Sequence, residues 1–121
     1  MLYSDDEYKL FAEELEGSSM GTVWSAMRAD NFGKEELSYK EKCDYFFELM
    51  ERLLLEGKIK LASRGKYLEG SIDEQISLYR ENFPKNQEEM EEDAFDGFWF
   101  LTEKCPGGIV WIHDNGYEDW T

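Results

Sequence analysis

His113 is the only histidine of the chain, and it stands beside Asp114 at the end of an apolar run, Ile109-Val110-Trp111-Ile112. An imidazole next to an orienting carboxylate is the pattern of general acid–base work. Cys105 lies eight residues earlier, across Pro106-Gly107-Gly108. A loop there would bring a thiol toward the ring, so a Cys–His nucleophile pair is one reading. The plainer one makes His113 a strand-end residue. Asp93 and Asp96 beside Phe98 and Trp99 have the look of a carboxylate pair flanking a sugar platform. Asp30-Asn31-Phe32-Gly33 and Asp114-Asn115-Gly116-Tyr117-Glu118 resemble calcium loops only superficially, because neither has the alternating acids and closing glutamate. One histidine and two scattered cysteines make no zinc set. The sequence has no glycine-rich phosphate loop and no nucleophile elbow. Neither a cofactor nor a metal is expected.

Acids interleaved with aromatics read better as a binding surface. Glu88, Glu89, Glu91, Glu92, Asp93 and Asp96 precede the apolar run Phe98–Leu101, and Asp114, Tyr117, Glu118, Asp119 and Trp120 follow Ile109–Ile112. Aromatic side chains supply contact area and carboxylates supply charge-assisted pairing to Arg and Lys, which is the chemistry of interface hot spots. These eleven residues are the candidate partner-binding set. The competing reading keeps the aromatics in the core and leaves only the acids outside. Trp99 and Trp111 are expected to be buried, and Tyr117 and Trp120 not.

Charge bounds the partner. There are 28 acids and 13 bases among 121 residues, a formal net charge of -15. That field repels nucleic acid and anionic membranes and attracts cations. It is also uneven. Glu81 to Thr121 holds eleven acids and two bases, whereas Gly57 to Leu68 holds Lys58, Lys60, Arg64 and Lys66 and no acid. No apolar run approaches the length of a membrane span, and the N-terminus has no signal-peptide pattern. Cys43 and Cys105 form no Cys-x-x-Cys motif. A cytoplasmic protein with two free thiols is the expectation.

The length suits one domain with its own core. Three Ser-x-x-Glu capping boxes, at Ser4–Glu7, Ser38–Glu41 and Ser71–Glu74, announce helices. The second opens the strongest, in which Cys43, Phe46, Phe47, Met50, Leu53 and Leu54 form one stripe before Gly57. Pro84 stops the third, and Asn86 can cap a short acidic helix. Thr22–Ala29 fits a short helix better than a strand. Lys58–Ala62 alternates like a strand with one wet face and can pair with Lys66–Glu69. Gly97–Thr102 and Ile109–His113 read as two further strands joined by a loop, and Asn115-Gly116 as a tight turn. The whole spells a single α+β domain, residues 1–121, with four to five helices packed on a small antiparallel sheet of three to four strands. The Ser38–Glu56 helix is expected to pack on the two late strands.

Five segments carry a resemblance: Leu55-Glu56-Gly57-Lys58-Ile59-Lys60-Leu61, Leu68-Glu69-Gly70-Ser71-Ile72-Asp73-Glu74-Gln75-Ile76, Asp96-Gly97-Phe98-Trp99-Phe100, Cys105-Pro106-Gly107-Gly108-Ile109-Val110-Trp111 and Asn115-Gly116-Tyr117-Glu118-Asp119-Trp120. Together they resemble the bacterial domain of unknown function numbered 596. The resemblance implies a small intracellular protein with no assigned catalytic residues. Small acidic families of this kind resemble immunity proteins of toxin systems. The functional expectation is therefore an acidic protein-binding module, with an immunity protein covering the active site of a basic nuclease toxin as its specific form. The alternatives are a small enzyme using His113 with Cys105 or a carboxylate, and a homo-oligomeric adaptor that sets its basic strip, Lys58–Lys66, against the acidic body of a neighbour.

Overall fold

A cap precedes every helix. In the computed structural model, which describes residues 2–121, all three boxes close: the serine hydroxyl accepts from the glutamate N–H, and the glutamate carboxylate accepts from the serine N–H. They start α1 (Asp5–Leu15), α3 (Tyr39–Leu55) and α4 (Ile72–Asn82). Ser19 caps α2 (Met20–Ser25) and Asn86 caps α5 (Gln87–Glu91). Each cap satisfies N–H groups that have no partner inside the helix.

The strands are β1 (Ile59–Ser63), β2 (Lys66–Tyr67), β3 (Gly108–Ile112) and β4 (Glu118–Trp120). They form one antiparallel sheet in the order β2-β1-β3-β4. The fold is α+β, with five α-helices, two short 3-10 segments (Ala29–Phe32 and Phe98–Leu101) and four strands.

One expectation fails here. Phe98–Leu101 is no strand but a 3-10 turn that starts from Gly97 at φ 93. Phe100 N–H donates to Gly97 and Thr102 N–H to Trp99, and the Thr102 hydroxyl also closes on the Trp99 carbonyl at 2.7 Å. A strand would put Trp99 and Leu101 on one face. The turn buries Trp99 and sends Leu101 out to solvent. The fourth strand is instead Glu118–Trp120, so the late hairpin is β3–β4 around Asn115-Gly116.

The inner face of the sheet carries Ile59, Leu61, Ile109 and Trp111, all buried. Trp24 is the hub of the helical layer, with ring contacts to Tyr39, Phe46, Phe83 and Phe100 at 5.6 to 6.2 Å. Phe83 in turn meets Trp99 at 5.1 Å. The core is thus a continuous aromatic cluster between the helices, joined to the aliphatic inner face of the sheet. Gly107 lets β3 begin flush against β1: a Cβ there would meet the Ala62 carbonyl oxygen at 2.6 Å. Tyr79 fixes the same point by donating to the Gly107 carbonyl at 2.8 Å. The outer face is roofed by Tyr67 and Trp120, whose rings meet at 5.2 Å, and Val110 is buried there despite facing away from the helices.

Candidate functional site

The acidic run ends in an unusual backbone. α5 stops at Glu92, and both Glu92 (φ 45) and Asp93 (φ 58) are left-handed. Non-glycine residues adopt that conformation at a cost of about 1–2 kcal/mol each, less for Asp. The Lys104 ammonium bonds the Glu92 carboxylate and helps hold the turn. Its effect is to reverse the chain so that Phe95 emerges at the surface. Phe95 is 53% exposed and Leu101 73%. Surface apolar groups this large, set close together in an acidic segment, mark contact surfaces.

Between α2 and the second 3-10 segment runs a groove of about 470 Å³. Phe95, Phe100 and Leu101 give it one apolar wall, and Met20, Gly21 and Ser25 of α2 the other. Asp96 stands in it. One oxygen, Oδ1, accepts from the Trp24 indole at 3.0 Å and from the Gln87 side-chain amide at 2.7 Å. This carboxylate therefore ties α2 and α5 together while lining the groove. Among the described residues no lysine or arginine forms an ion pair with it. Glu88, Glu91 and Asp93 also lack an ion-pair partner among the described residues, so the acidic segment leading to the groove keeps its charge.

The sequence set divides in space. Of the first six only Asp96 lines this groove, and Glu88, Glu89, Glu91, Glu92 and Asp93 lie on α5 and the turn that leads to it. Thr121 reaches it, and Trp120 lines the neighbouring hollow with Phe100. Asp114 and Tyr117 lie at the far end of β4, on the turn beside α1. Two of the tail acids are already engaged: Glu118 accepts from the Tyr67 hydroxyl, and Asp119 meets His113. The sequence missed the α2 side of the groove, because Gly21 and Ser25 carry no chemistry of their own. The one available signal was Trp24, a buried indole that needs an acceptor.

His113 does not work with Asp114. Its Nδ1 lies 3.0 Å from Glu16 and its Nε2 3.2 Å from Asp119. Both ring nitrogens are occupied by carboxylates of the fold. Nor does it meet Cys105, because β3 separates the two by on the order of 16 Å at the usual rise per residue. The Cys105 sulfur instead sits 2.9 Å from the Tyr79 hydroxyl. Burial pushes the Cys105 and Cys43 thiols up, and the Tyr79 hydroxyl well up, from their ordinary values. That is opposite to the activation a nucleophilic thiolate needs. Both cysteines are free.

Among the described residues no three His, Cys, Asp or Glu side chains are grouped to hold a metal ion. No helix among the described residues is long and apolar enough to cross a membrane.

Residues 54–121 match a family described as a protein of unknown function, DUF596. The chain belongs to that family. The match covers the sheet, α4, α5 and the acidic and apolar side of the groove, and stops short of α2. A solved structure of an uncharacterised protein conserved in bacteria, from Neisseria meningitidis, is similar along nearly the whole length: 27% identity, a TM-score of 0.76, with 95% of this chain and 87% of that one covered. No curated protein matches. The α+β fold is thus shared with another chain over nearly its whole length, and the family description assigns no activity.

Proposed function

We propose that the chain is a binding module for a basic protein, which it holds in the groove between α2 and the second 3-10 segment. One observation carries the reading: two large side chains, Phe95 and Leu101, stand in solvent at the edge of a groove that Asp96 lines and the acidic segment Glu88–Asp93 leads into. Apolar anchors give area, and the acidic segment gives steering and register. The net charge of -15 extends the same preference over the whole molecule. The specific form is an immunity protein, which neutralises a basic nuclease toxin in the cytoplasm by covering its active site.

The test is a titration of the purified chain against the basic protein that co-purifies with it from its host, which in the specific form of the proposal is a nuclease toxin domain. Binding should be tight and weaken with salt. Replacing Phe95 and Leu101 together by Ala should weaken it by about a hundredfold or more, as loss of hot-spot anchors does. Reversing Glu91, Glu92 and Asp93 to Lys should slow association and flatten the salt dependence. Absence of binding, or affinity indifferent to both sets, overturns the proposal.

A further inference from the structure

Asp96 differs from the acids of the segment that leads to it. Its Oδ1 is fixed by two neutral donors, Trp24 and Gln87, from two different helices. Among the described residues its Oδ2 accepts no hydrogen bond. A carboxylate held this way cannot swing to find a partner. It presents one oxygen in a set position, and two flanking helices hold it there. Around it the groove is apolar and aromatic, with Phe95, Phe100 and Leu101 on one wall and the flat, side-chain-poor surface at Gly21 on the other. A fixed, exposed anion on the wall of a largely apolar groove is complementary to a long side chain with an apolar stem and a cationic head.

Between the two cationic residues the lining selects. A lysine ammonium is compact and strongly hydrated, whereas a guanidinium is planar, weakly hydrated and stacks on aromatic faces. Phe95 is half exposed and Phe100 half buried beside the acid, so rings are available to stack against. We infer that Asp96, exposed on the wall of the groove, is the anionic anchor of a socket that receives one arginine side chain of the basic partner, its guanidinium on the unengaged carboxylate oxygen and its stem against Phe95 and Phe100. This rests on the binding reading above and adds which residue of the partner is read, and by which atom.

The hydrogen-bond pattern supplies both the reporter and the variant. The Trp24 indole N–H donates directly to Asp96, so its resonance senses what the carboxylate binds. Asp96→Asn keeps an Oδ1 acceptor for Trp24 and Gln87 and removes the charge and the second acceptor. Titration of the isotopically labelled chain with Nα-acetyl-arginine amide should move the Trp24 indole and the Gln87 side-chain amide in a saturable way at millimolar concentration. The lysine analogue should be weaker and the neutral citrulline analogue silent. In D96N the arginine response should fall by about tenfold or more, the usual weight of a charged hydrogen bond. Glu69→Gln, exposed on the connection between β2 and α4 and outside the groove, should leave it within about twofold.

An indole that does not move, or moves equally in D96N or with citrulline, overturns the socket. An equal response to lysine overturns the arginine assignment. If Phe95→Ala with Leu101→Ala abolishes partner binding while arginine leaves Trp24 unmoved, the socket fails and the binding reading stands. If arginine is bound but D96N leaves partner affinity unchanged, the partner does not use the socket.

Discussion

His113 Nδ1 lies 3.0 Å from Glu16, so the end of β3 is pinned to the residue that caps α1. The other ring nitrogen faces Asp119 of β4 at 3.2 Å. A neutral ring can donate to only one of these carboxylates, and a doubly protonated ring to both. Either way the ring clamps the end of α1 to the β3–β4 hairpin, a junction that Trp111 also makes, its indole donating to the Ser18 carbonyl at 2.8 Å. The groups are partly exposed, so solvent screens much of the charge. His113→Phe keeps the ring shape and removes both contacts. It should cost about 1 kcal/mol, read as a lower urea midpoint at unchanged slope. An unchanged midpoint would show that the clamp contributes nothing.

The capping boxes set a response to acid. The Ser71 N–H donates to Glu74 and holds its carboxyl below the usual glutamate value of 4.5, and Glu7 and Glu41 are lowered in the same way by Ser4 and Ser38. A lowered folded value means that the charged form is the one the fold favours. The stabilisation is therefore complete above the unfolded value and is lost as pH falls through the lowered folded one. In Glu74→Gln that component is absent. Wild type should be the more stable near neutrality, with the difference closing once pH has dropped well below 4.5. Thermal melts of both proteins along a pH series check this, and a constant gap down to the lowest pH would rule it out.

The thiols can be tested independently of the groove. Cys105 is held against the Tyr79 hydroxyl and the Gly107 carbonyl, with its thiol pushed up by burial. Little thiolate is present at mildly alkaline pH, and access is restricted. Reaction with a thiol reagent should be about tenfold or more slower in the native protein than in denaturant for both cysteines. A fast-reacting Cys105 would instead indicate an activated thiolate and revive a catalytic role for it.

Helices were legible because their signals are local. Ser4, Ser38 and Ser71 each start a helix three residues before a glutamate, and Gly57 and Pro84 stop two of them. β1 was legible from its alternation. The second 3-10 segment was not: Phe98-Trp99-Phe100-Leu101 has the composition of a buried strand, and only the tertiary demand to bury Trp99 while turning Leu101 outward decides its form. β4 was hidden for the opposite reason. Glu118-Asp119-Trp120 is too polar to suggest a strand, and it forms because Asn115-Gly116 folds it back onto β3. The acidic side of the groove could be named from composition. Its other side could not, since Gly21 lies more than seventy positions from Asp96 and contributes only empty space.

That space makes the sharpest test of where the partner sits. Gly21 lies inside α2, and a Cβ built there meets nothing within 4 Å. Its φ is not positive, so alanine adopts the backbone without strain. Replacing a helical glycine by alanine removes conformational freedom from the unfolded chain and favours the folded helix by about 0.5–1 kcal/mol. Gly21→Ala should therefore raise the melting temperature. The same methyl projects from the α2 wall of the groove, across from Phe95 and Phe100. If the groove is the docking site, the more stable protein should bind its partner more weakly, by about tenfold, the scale of a steric misfit in a packed contact. Stability and affinity moving in opposite directions from one methyl group is hard to obtain by any route except occupation of this groove. A stabilised variant with unchanged affinity would place the partner elsewhere on the molecule.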